Sequence, residues 1–285
     1  MKWAEILNKA DAYLAQKGVP DSRVAAELLA ARLLHLGRGM LAGALERETP
    51  EKYLEAMRRG MRRLVEGEPV QYVLGEWDFR TLTLKCDRRA LIPRPETEEL
   101  VTRVLKYLRT SRPSSPFVVD VGTGTGAIIL SLAKEHRGEA MFLGTDVSED
   151  AVALARENAA QCGLAERVKF VVADGLDDFD EPGVVDVIVS NPPYIETATC
   201  ETLDPRVKDW EPRLALDGGV SGLDFYDRYL GDALNILKPG GAVFFEIGEN
   251  QGEAVRQLMF DYGFENIAVE KDYGGHDRYA SATLP

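Results

Sequence analysis

The chain has 285 residues, 45% of them hydrophobic, and a formal net charge of −13. That length is comfortable for two domains and long for one, and no apolar stretch is long enough to span a membrane. Residues 1–85 hold 14 Lys+Arg against 12 Asp+Glu and the remainder 20 against 35, so the larger part is a poor stand-alone binder of nucleic acid, whose phosphates reward basic residues.

Residues 1 to about 66 read helical. Trp3, Ile6, Leu7, Ala10 and Leu14 recur at helical spacing, Pro20-Asp21-Ser22 starts a helix over Val24 to Leu36, and Thr49-Pro50-Glu51 opens another carrying Tyr53, Leu54, Met57 and Met61. The one basic patch, Arg58-Arg59-Gly60-Met61-Arg62-Arg63, is a solvated helix face or, as the minority reading, a partner contact. Gly67-Glu68-Pro69 breaks the helical pattern. Phe79 to Cys86 then alternates as strands do, which predicts a hairpin linking two parts.

From Glu96 the pattern becomes helix–strand alternation. Helix Glu96–Leu108 precedes a Pro/Ser linker, Ser111 to Pro116, and strand Phe117–Val121. Strands follow over Ala140–Thr145, Val168–Ala173 and Val184–Ser190. Beyond an irregular stretch (195–221) come helix Leu223–Leu237, a turn at Lys238-Pro239-Gly240-Gly241, strand Ala242–Ile247, helix Gln251–Tyr262 and two strand-like segments. This order predicts an α/β doubly wound sheet preceded by a small helical bundle. The expected domains are a helical domain over 1–70, a β-hairpin linker over 71–95 and a catalytic domain over 96–285.

Gly122-Thr123-Gly124-Thr125-Gly126 follows a strand and opens a helical pattern. Glycines there let the backbone approach a ligand closely. The run Gly122 to Ala127 also fits the dinucleotide fingerprint, so both NAD and S-adenosylmethionine must be weighed. The next strand leads to Asp146, whose carboxylate can accept from ribose hydroxyls, and both cofactors have that ribose. The bland reading of Asp146 is a helix-start acid, with Ser148 a competent N-cap. Asp174 follows the third strand; it is an acceptor for an adenine amino group or an ordinary turn acid.

Asn191-Pro192-Pro193-Tyr194 ends the fourth strand and separates the alternatives, there being no obvious hydride-transfer acid. An amide or ring-amino nitrogen is a weak nucleophile because its lone pair is delocalised. Acceptors on its N–H groups hold it in line and favour the positive charge that grows during transfer. Asn191 offers a side-chain carbonyl and Pro192 a backbone one. Two prolines stiffen the loop, and Tyr194 can lie against a planar amide. Such positioning supplies roughly 7–11 kcal/mol of a barrier. The bland alternative is a proline-rich turn.

Cys86, Cys162 and Cys200 are scattered and odd in number, and His35, His136 and His276 show no ligand spacing. Neither a disulfide frame nor a metal site is expected. The opening Met1-Lys2-Trp3-Ala4-Glu5 lacks the plan of a signal peptide, so a cytoplasmic location is expected.

Several stretches together resemble the HemK-type protein-glutamine methyltransferases, specifically the release-factor glutamine methyltransferases. They are Gln71-Tyr72-Val73-Leu74-Gly75, Leu91-Ile92-Pro93-Arg94-Pro95-Glu96-Thr97-Glu98, Asp120 to Gly126, Asn191 to Tyr194, Glu211-Pro212 with Ala215-Leu216, Gly222-Leu223-Asp224, and Glu246-Ile247-Gly248 with Gln251. Ala25-Ala26-Glu27-Leu28-Leu29 also resembles the family's helical domain, so the similarity covers nearly the whole chain.

The resemblance implies a seven-stranded Rossmann-like fold and a reaction. A methyl group passes from S-adenosylmethionine, which becomes S-adenosylhomocysteine, to the side-chain amide nitrogen of the glutamine in the Gly-Gly-Gln motif of peptide chain release factors. Gly122 to Gly126 would hold the methionine part of the cofactor and Asp146 the ribose. Asn191 would touch cofactor and substrate, and Pro192, Pro193 and Tyr194 would shape the glutamine slot. Glu96 and Thr97 would line the site, with Glu246 a weaker candidate. The helical domain would grip the release factor. A monomer is expected, with no membrane or direct nucleic-acid partner.

Two departures stand out. Relatives can carry an aromatic residue where this chain has Gly175, so adenine must find another apolar surface such as Val147 or Leu176. Trp210 is unusual for the family. Three rivals remain: the sister enzyme acting on a ribosomal protein, a DNA or RNA amino-methyltransferase, and a non-catalytic adaptor. The sister would carry Pro-Arg-Ser-Pro where this chain has Pro-Arg-Pro-Glu. The acidic balance opposes the second rival, and the intact motifs oppose the third.

Overall fold

The computed structural model describes every residue except Arg112, which falls in the predicted Pro/Ser linker, and Asp178 and Asp180. The chain divides into two compact units, Met1–Glu76 with Asp204–Trp210, and Trp77–Leu203 with Glu211–Pro285.

The first unit is helical. It holds α1 (Trp3–Gln16), α2 (Ser22–Leu34), a 3-10 turn at Arg38–Ala44, α3 (Glu51–Val65) and α4 (Val70–Leu74). Trp3, Leu7 and Leu14 of α1 pack with Ala26 and Leu29 of α2 and Met57 and Leu64 of α3, so the helical spacing of these apolar residues becomes the core. Helix α2 starts two residues before the predicted Val24 and stops at Leu34, because His35 takes a left-handed conformation (φ 52°). Trp210 belongs to this unit, and its indole Nε1 lies 3.5 Å from where a Cβ on Gly67 would stand.

The second unit begins with the predicted hairpin, β1 (Glu76–Phe79) and β2 (Leu82–Lys85). Arg80 in its turn has φ 53°. Its guanidinium is held by both carboxylate oxygens of Glu135 at 2.7 Å, which offsets a backbone conformation that side chains other than glycine's disfavour. Helix α5 (Pro95–Ser111) follows, longer at both ends than predicted; proline suits its first position because no N–H is needed there.

The alternating part reads β3 (Phe117–Val121), α6 (Ala127–Glu135), β4 (Met141–Asp146), α7 (Glu149–Gln161), β5 (Val168–Val172), β6 (Val185–Ser190), α8 (Thr197–Cys200), α9 (Pro205–Lys208, within the first unit), α10 (Asp224–Ile236), β7 (Leu237–Glu246), α11 (Gly252–Asp261), β8 (Glu265–Lys271) and β9 (Asp277–Thr283). Among the described residues the main sheet has seven strands in the order β5-β4-β3-β6-β7-β9-β8. Strands β3 to β7 run parallel, and β9 runs antiparallel to β7 and β8. One core packs α5, α6 and α7 on one face of the sheet, and a second packs α10 and α11 on the other. This is the doubly wound Rossmann-like arrangement expected.

The stretch expected to be irregular (195–221) carries the short helices α8 and α9, and α4 falls largely within the expected hairpin linker. The predicted turn at Lys238–Gly241 lies within the bounds of β7. Leu237 pairs with Val185 and Ala242 with Val187, so the intervening residues bulge out while pairing continues on both sides.

Candidate active site

Parallel strands deliver their carboxyl ends to one edge of the sheet, and ligands collect there. Val121, Asp146, Val172, Ser190 and Glu246 end β3 to β7. A cleft at this edge is lined by Gly122 to Thr125, Asp146, Val147, Asp174, Gly175, Asn191 and Pro193. The strap Arg89–Arg94, Thr97, Leu214, Phe225 and Tyr229 also line it.

The glycine loop is built for close approach. Gly122 and Gly124 have φ of 71° and 55°, a region L side chains rarely adopt. A Cβ on Gly122 would meet no atom within 4 Å. The loop is tied to the next strand, since Thr123 N donates to Thr145 O at 2.8 Å and Gly124 N to Asp146 Oδ2 at 2.9 Å. The other oxygen of Asp146 accepts from Ser148 N at 2.9 Å. Each oxygen keeps a lone pair for further donors. Burial raises the Asp146 carboxyl above its ordinary range, opposed by these two N–H groups. The expected N-cap is present: Ser148 Oγ accepts from Ala151 N at 3.2 Å.

Asn191 is half-buried at the end of β6. Its Nδ2 donates to Thr97 Oγ1 at 3.2 Å, and Thr97 Oγ1 donates to Glu246 Oε2 at 2.6 Å. Glu246 is 1% exposed, and desolvation pushes its carboxyl up to about 7. Next to Asn191, Ser190 Oγ donates to Val121 O at 2.6 Å and so joins the ends of β6 and β3.

The expected residues are not all gathered alike. Gly122 to Thr125, Asp146, Asp174, Asn191, Pro193 and Thr97 line the cleft, whereas Gly126, Pro192, Tyr194 and Glu96 are not on its wall. Gly126 is the N-cap of α6. Pro192 is buried in the loop, and Glu96 is exposed. Tyr194 packs against the α10–α11 core, and burial pushes its hydroxyl up to about 12. Asp174 is held from α10, its Oδ1 accepting from Arg228 Nη1 at 2.7 Å and its backbone oxygen from Nη2 at 2.8 Å.

Residues that the sequence reading passed over complete the cleft. Phe225 and Tyr229 of α10 stand on the wall with Gly175, their ring centroids 5.8 Å apart. A Cβ on Gly175 would come within 3.2 Å of the Tyr229 ring and 3.4 Å of the Arg228 guanidinium, so these α10 side chains crowd the space that a side chain at 175 would use. Of the two apolar surfaces expected for adenine, Val147 lines the cleft and Leu176 is buried in the core. The signal available was the aromatic spacing Phe225, Tyr226, Tyr229 on a helix start. The strap is anchored by Glu211, 4% exposed, which accepts from Ile92 N at 3.0 Å and Arg94 Nη2 at 2.5 Å.

Comparison with known proteins agrees with this geometry. Residues 115–269 match the family model for a methyltransferase domain, and residues 5–75 match that of the PrmC N-terminal domain. A release factor glutamine methyltransferase of Moorella thermoacetica is 40% identical over 280 residues, covering 98% of this chain and 97% of that protein. One of Chlorobaculum tepidum is 39% identical over 280 residues, covering 96% and 94%. The hMettl16 catalytic domain, solved in complex with a MAT2A 3′UTR hairpin, shares the fold at 18% identity with a TM-score of 0.56, over 71% of this chain and 75% of that one. With such identity sustained along nearly its full length, the chain belongs to the release factor glutamine methyltransferase family.

Proposed function

We infer that this protein methylates the side-chain amide nitrogen of a release-factor glutamine, that of the Gly-Gly-Gln motif, with S-adenosylmethionine as donor. The observation that carries the reading is Asn191, pinned through its Nδ2 in the same cleft as the glycine loop and Asp146.

The cleft fits the donor. Gly122 to Thr125 leave backbone room for the methionine part, with Gly126 behind them capping α6, Asp146 has lone pairs for ribose hydroxyls, and Val147, Phe225 and Tyr229 offer apolar surface for adenine. Asp174, turned by Arg228, supplies an acceptor for the adenine amino group. Bound there, the donor would supply an electrophilic methyl group, transferred to the amide nitrogen as its bond to sulfur breaks with the electron pair kept by sulfur, and the nitrogen would release its proton to water.

The remaining work belongs to the protein. Asn191 Oδ1 and the Pro192 carbonyl accept from the glutamine N–H groups and favour the charge that grows there. Pro193 lines the slot, while Pro192, buried in the loop, and Tyr194, packed on the α10–α11 core, hold that loop in place. Thr97 positions Asn191 from α5 and Glu96 stands at the start of that helix. Residues 1–70 recognise the body of the release factor, 71–95 form the connecting hairpin, and 96–285 perform catalysis. The protein acts as a monomer in the cytoplasm. Among the described residues, no helix is long and apolar enough to cross a membrane.

Labelled S-adenosylmethionine incubated with a purified release factor tests the reading, beside a Gly-Gly-Gln→Gly-Gly-Ala factor and a duplex DNA control. Label on the wild-type factor alone is expected. Label on DNA, or none on the factor despite cofactor binding, would overturn it. Asn191→Ala should lower kcat by roughly 100- to 1000-fold, as loss of one charge-stabilising group does, with cofactor binding mostly intact.

A further inference from the structure

We propose that Thr97 and Glu246 form a positioning pair that decides which end of the Asn191 side-chain amide faces the acceptor glutamine. The inference rests on the reading above and extends it to residues that need not touch the substrate.

An asparagine amide is nearly symmetric in shape and opposite in polarity at its two ends. With the carbonyl outward, Asn191 accepts from a glutamine N–H. With the NH2 outward, two donors meet and the contact is repulsive. Nothing in Asn191 itself selects between these rotamers, so the selection must come from its neighbours.

A threonine hydroxyl has one hydrogen and two lone pairs. Once ionised, the Glu246 carboxylate accepts only, and at 2.6 Å it takes the Thr97 hydrogen. Thr97 Oγ1 is thereby left as an acceptor toward Asn191, and only the NH2 end of the amide can satisfy it, at 3.2 Å. The carbonyl end is then turned away from Thr97 toward the cleft. Both members are secluded from water, Thr97 4% and Glu246 1% exposed, so no solvent molecule competes for these bonds. Glu246 is held from the other side of its residue as well, since Tyr226 Oη donates to its backbone oxygen at 3.0 Å. The pair joins α5 to the end of β7, 149 residues apart in sequence.

The test compares the full-length wild type with Thr97→Val, Thr97→Ser, Asn191→Ala and the double variant Thr97→Val/Asn191→Ala. The readouts are kcat and KM with a release factor, S-adenosylmethionine affinity by calorimetry, and Tm. Thr97→Val should lower kcat by roughly 10- to 100-fold, the range for stranding one buried polar group. Cofactor affinity should stay within about twofold and Thr97→Ser should recover most of the rate, because only the hydroxyl matters. In the Asn191→Ala background the same substitution should cost nothing further, since a residue acting through Asn191 has nothing left to position. A full-rate Thr97→Val, an equal loss in both backgrounds, or a loss shared by cofactor affinity and Tm would each overturn the proposal. Should Thr97→Val not fold, Thr97→Ala is read by the same criteria. A wild type that labels no release factor defeats the functional reading instead, which separates the two failures.

Discussion

Gln251 Nε2 donates to the backbone carbonyl of Tyr194 at 3.0 Å. The same nitrogen donates to Gly222 O at 3.0 Å, while Oε1 accepts from Gly248 N at 2.8 Å. One amide thus clamps the exit of the Asn-Pro-Pro-Tyr loop to two other motifs. Gly222 is required beside it, as a Cβ there would lie 2.5 Å from Tyr194 O. Gln251→Glu would face two carbonyls with an acceptor. It should lower the unfolding free energy by roughly 1–3 kcal/mol and reduce kcat/KM toward the release factor. Urea unfolding together with steady-state kinetics checks this, and wild-type values in both would refute the clamp.

Phe225 and Tyr229 stand where the chain lacks an aromatic residue at Gly175. Phe225→Ala should weaken S-adenosylmethionine binding roughly 2- to 10-fold, the range of a single aromatic contact, measured by calorimetry. Gly175→Phe should not compensate. Its φ of 68° costs a side chain about 1–2 kcal/mol, and its Cβ would press on the Tyr229 ring. A Gly175→Phe protein that binds the cofactor more tightly at unchanged Tm would show the wall to be assigned wrongly.

The strap over the cleft depends on Glu211. Arg94→Ala leaves that buried carboxylate with only Ile92 N among its two anchoring donors. The expected cost is roughly 2–4 kcal/mol, toward the low side for a buried pair because Arg94 is a third exposed. Adding Glu211→Gln should restore part of the loss by removing the stranded charge. A double variant as unstable as the sum of the singles would argue against coupling.

Stability should fall as pH rises toward neutrality. Desolvation pushes Asp120, fully buried, up to about 7, and Glu246 likewise. The folded state holds these protons more tightly than the unfolded chain, so their contribution is full below the ordinary carboxylate range and is lost as pH climbs through about 7. Glu157 works in another window: hydrogen bonds from Arg89 and Lys85 push it down to about 2, and its contribution disappears only in acid. Urea midpoints without cofactor should therefore drop between about pH 5 and 7. Across that interval Asp120→Asn should gain roughly 2 kcal/mol relative to wild type, at about 1.4 kcal/mol per unit of pKa difference. Parallel pH profiles for the two proteins would contradict it.

The elements legible in the sequence are those with local causes. Glycines placed the loop after β3, where positive φ is needed. Alternation marked β2, whose Leu82 and Leu84 are buried and Thr83 and Lys85 exposed. Ser148 announced the start of α7. The bulge inside β7 was misread as a turn, because Lys238-Pro239-Gly240-Gly241 is a good local turn sequence, and only β6 pairing at Leu237 and Ala242 and the bonds of Gly240 and Gly241 with Leu284 keep it within a strand.

The sequence by itself determined the order of strands and helices, the family, and the presence of a donor loop and an amide-binding loop, since periodicity, missing proline donors and glycine conformations are all short-range properties. Tertiary structure alone decided which partners complete those loops. Thr97 reaches Asn191 across 94 residues and Ile92 reaches Glu211 across 119. Phe225 and Tyr229 join the cleft only because α10 packs against the sheet edge that carries Gly175. Bonds between residues so far apart leave no periodic trace in the chain, because it is the packing of helix α5 and the loops around the sheet, itself held by backbone pairing that many side chains would satisfy equally well, that brings them together.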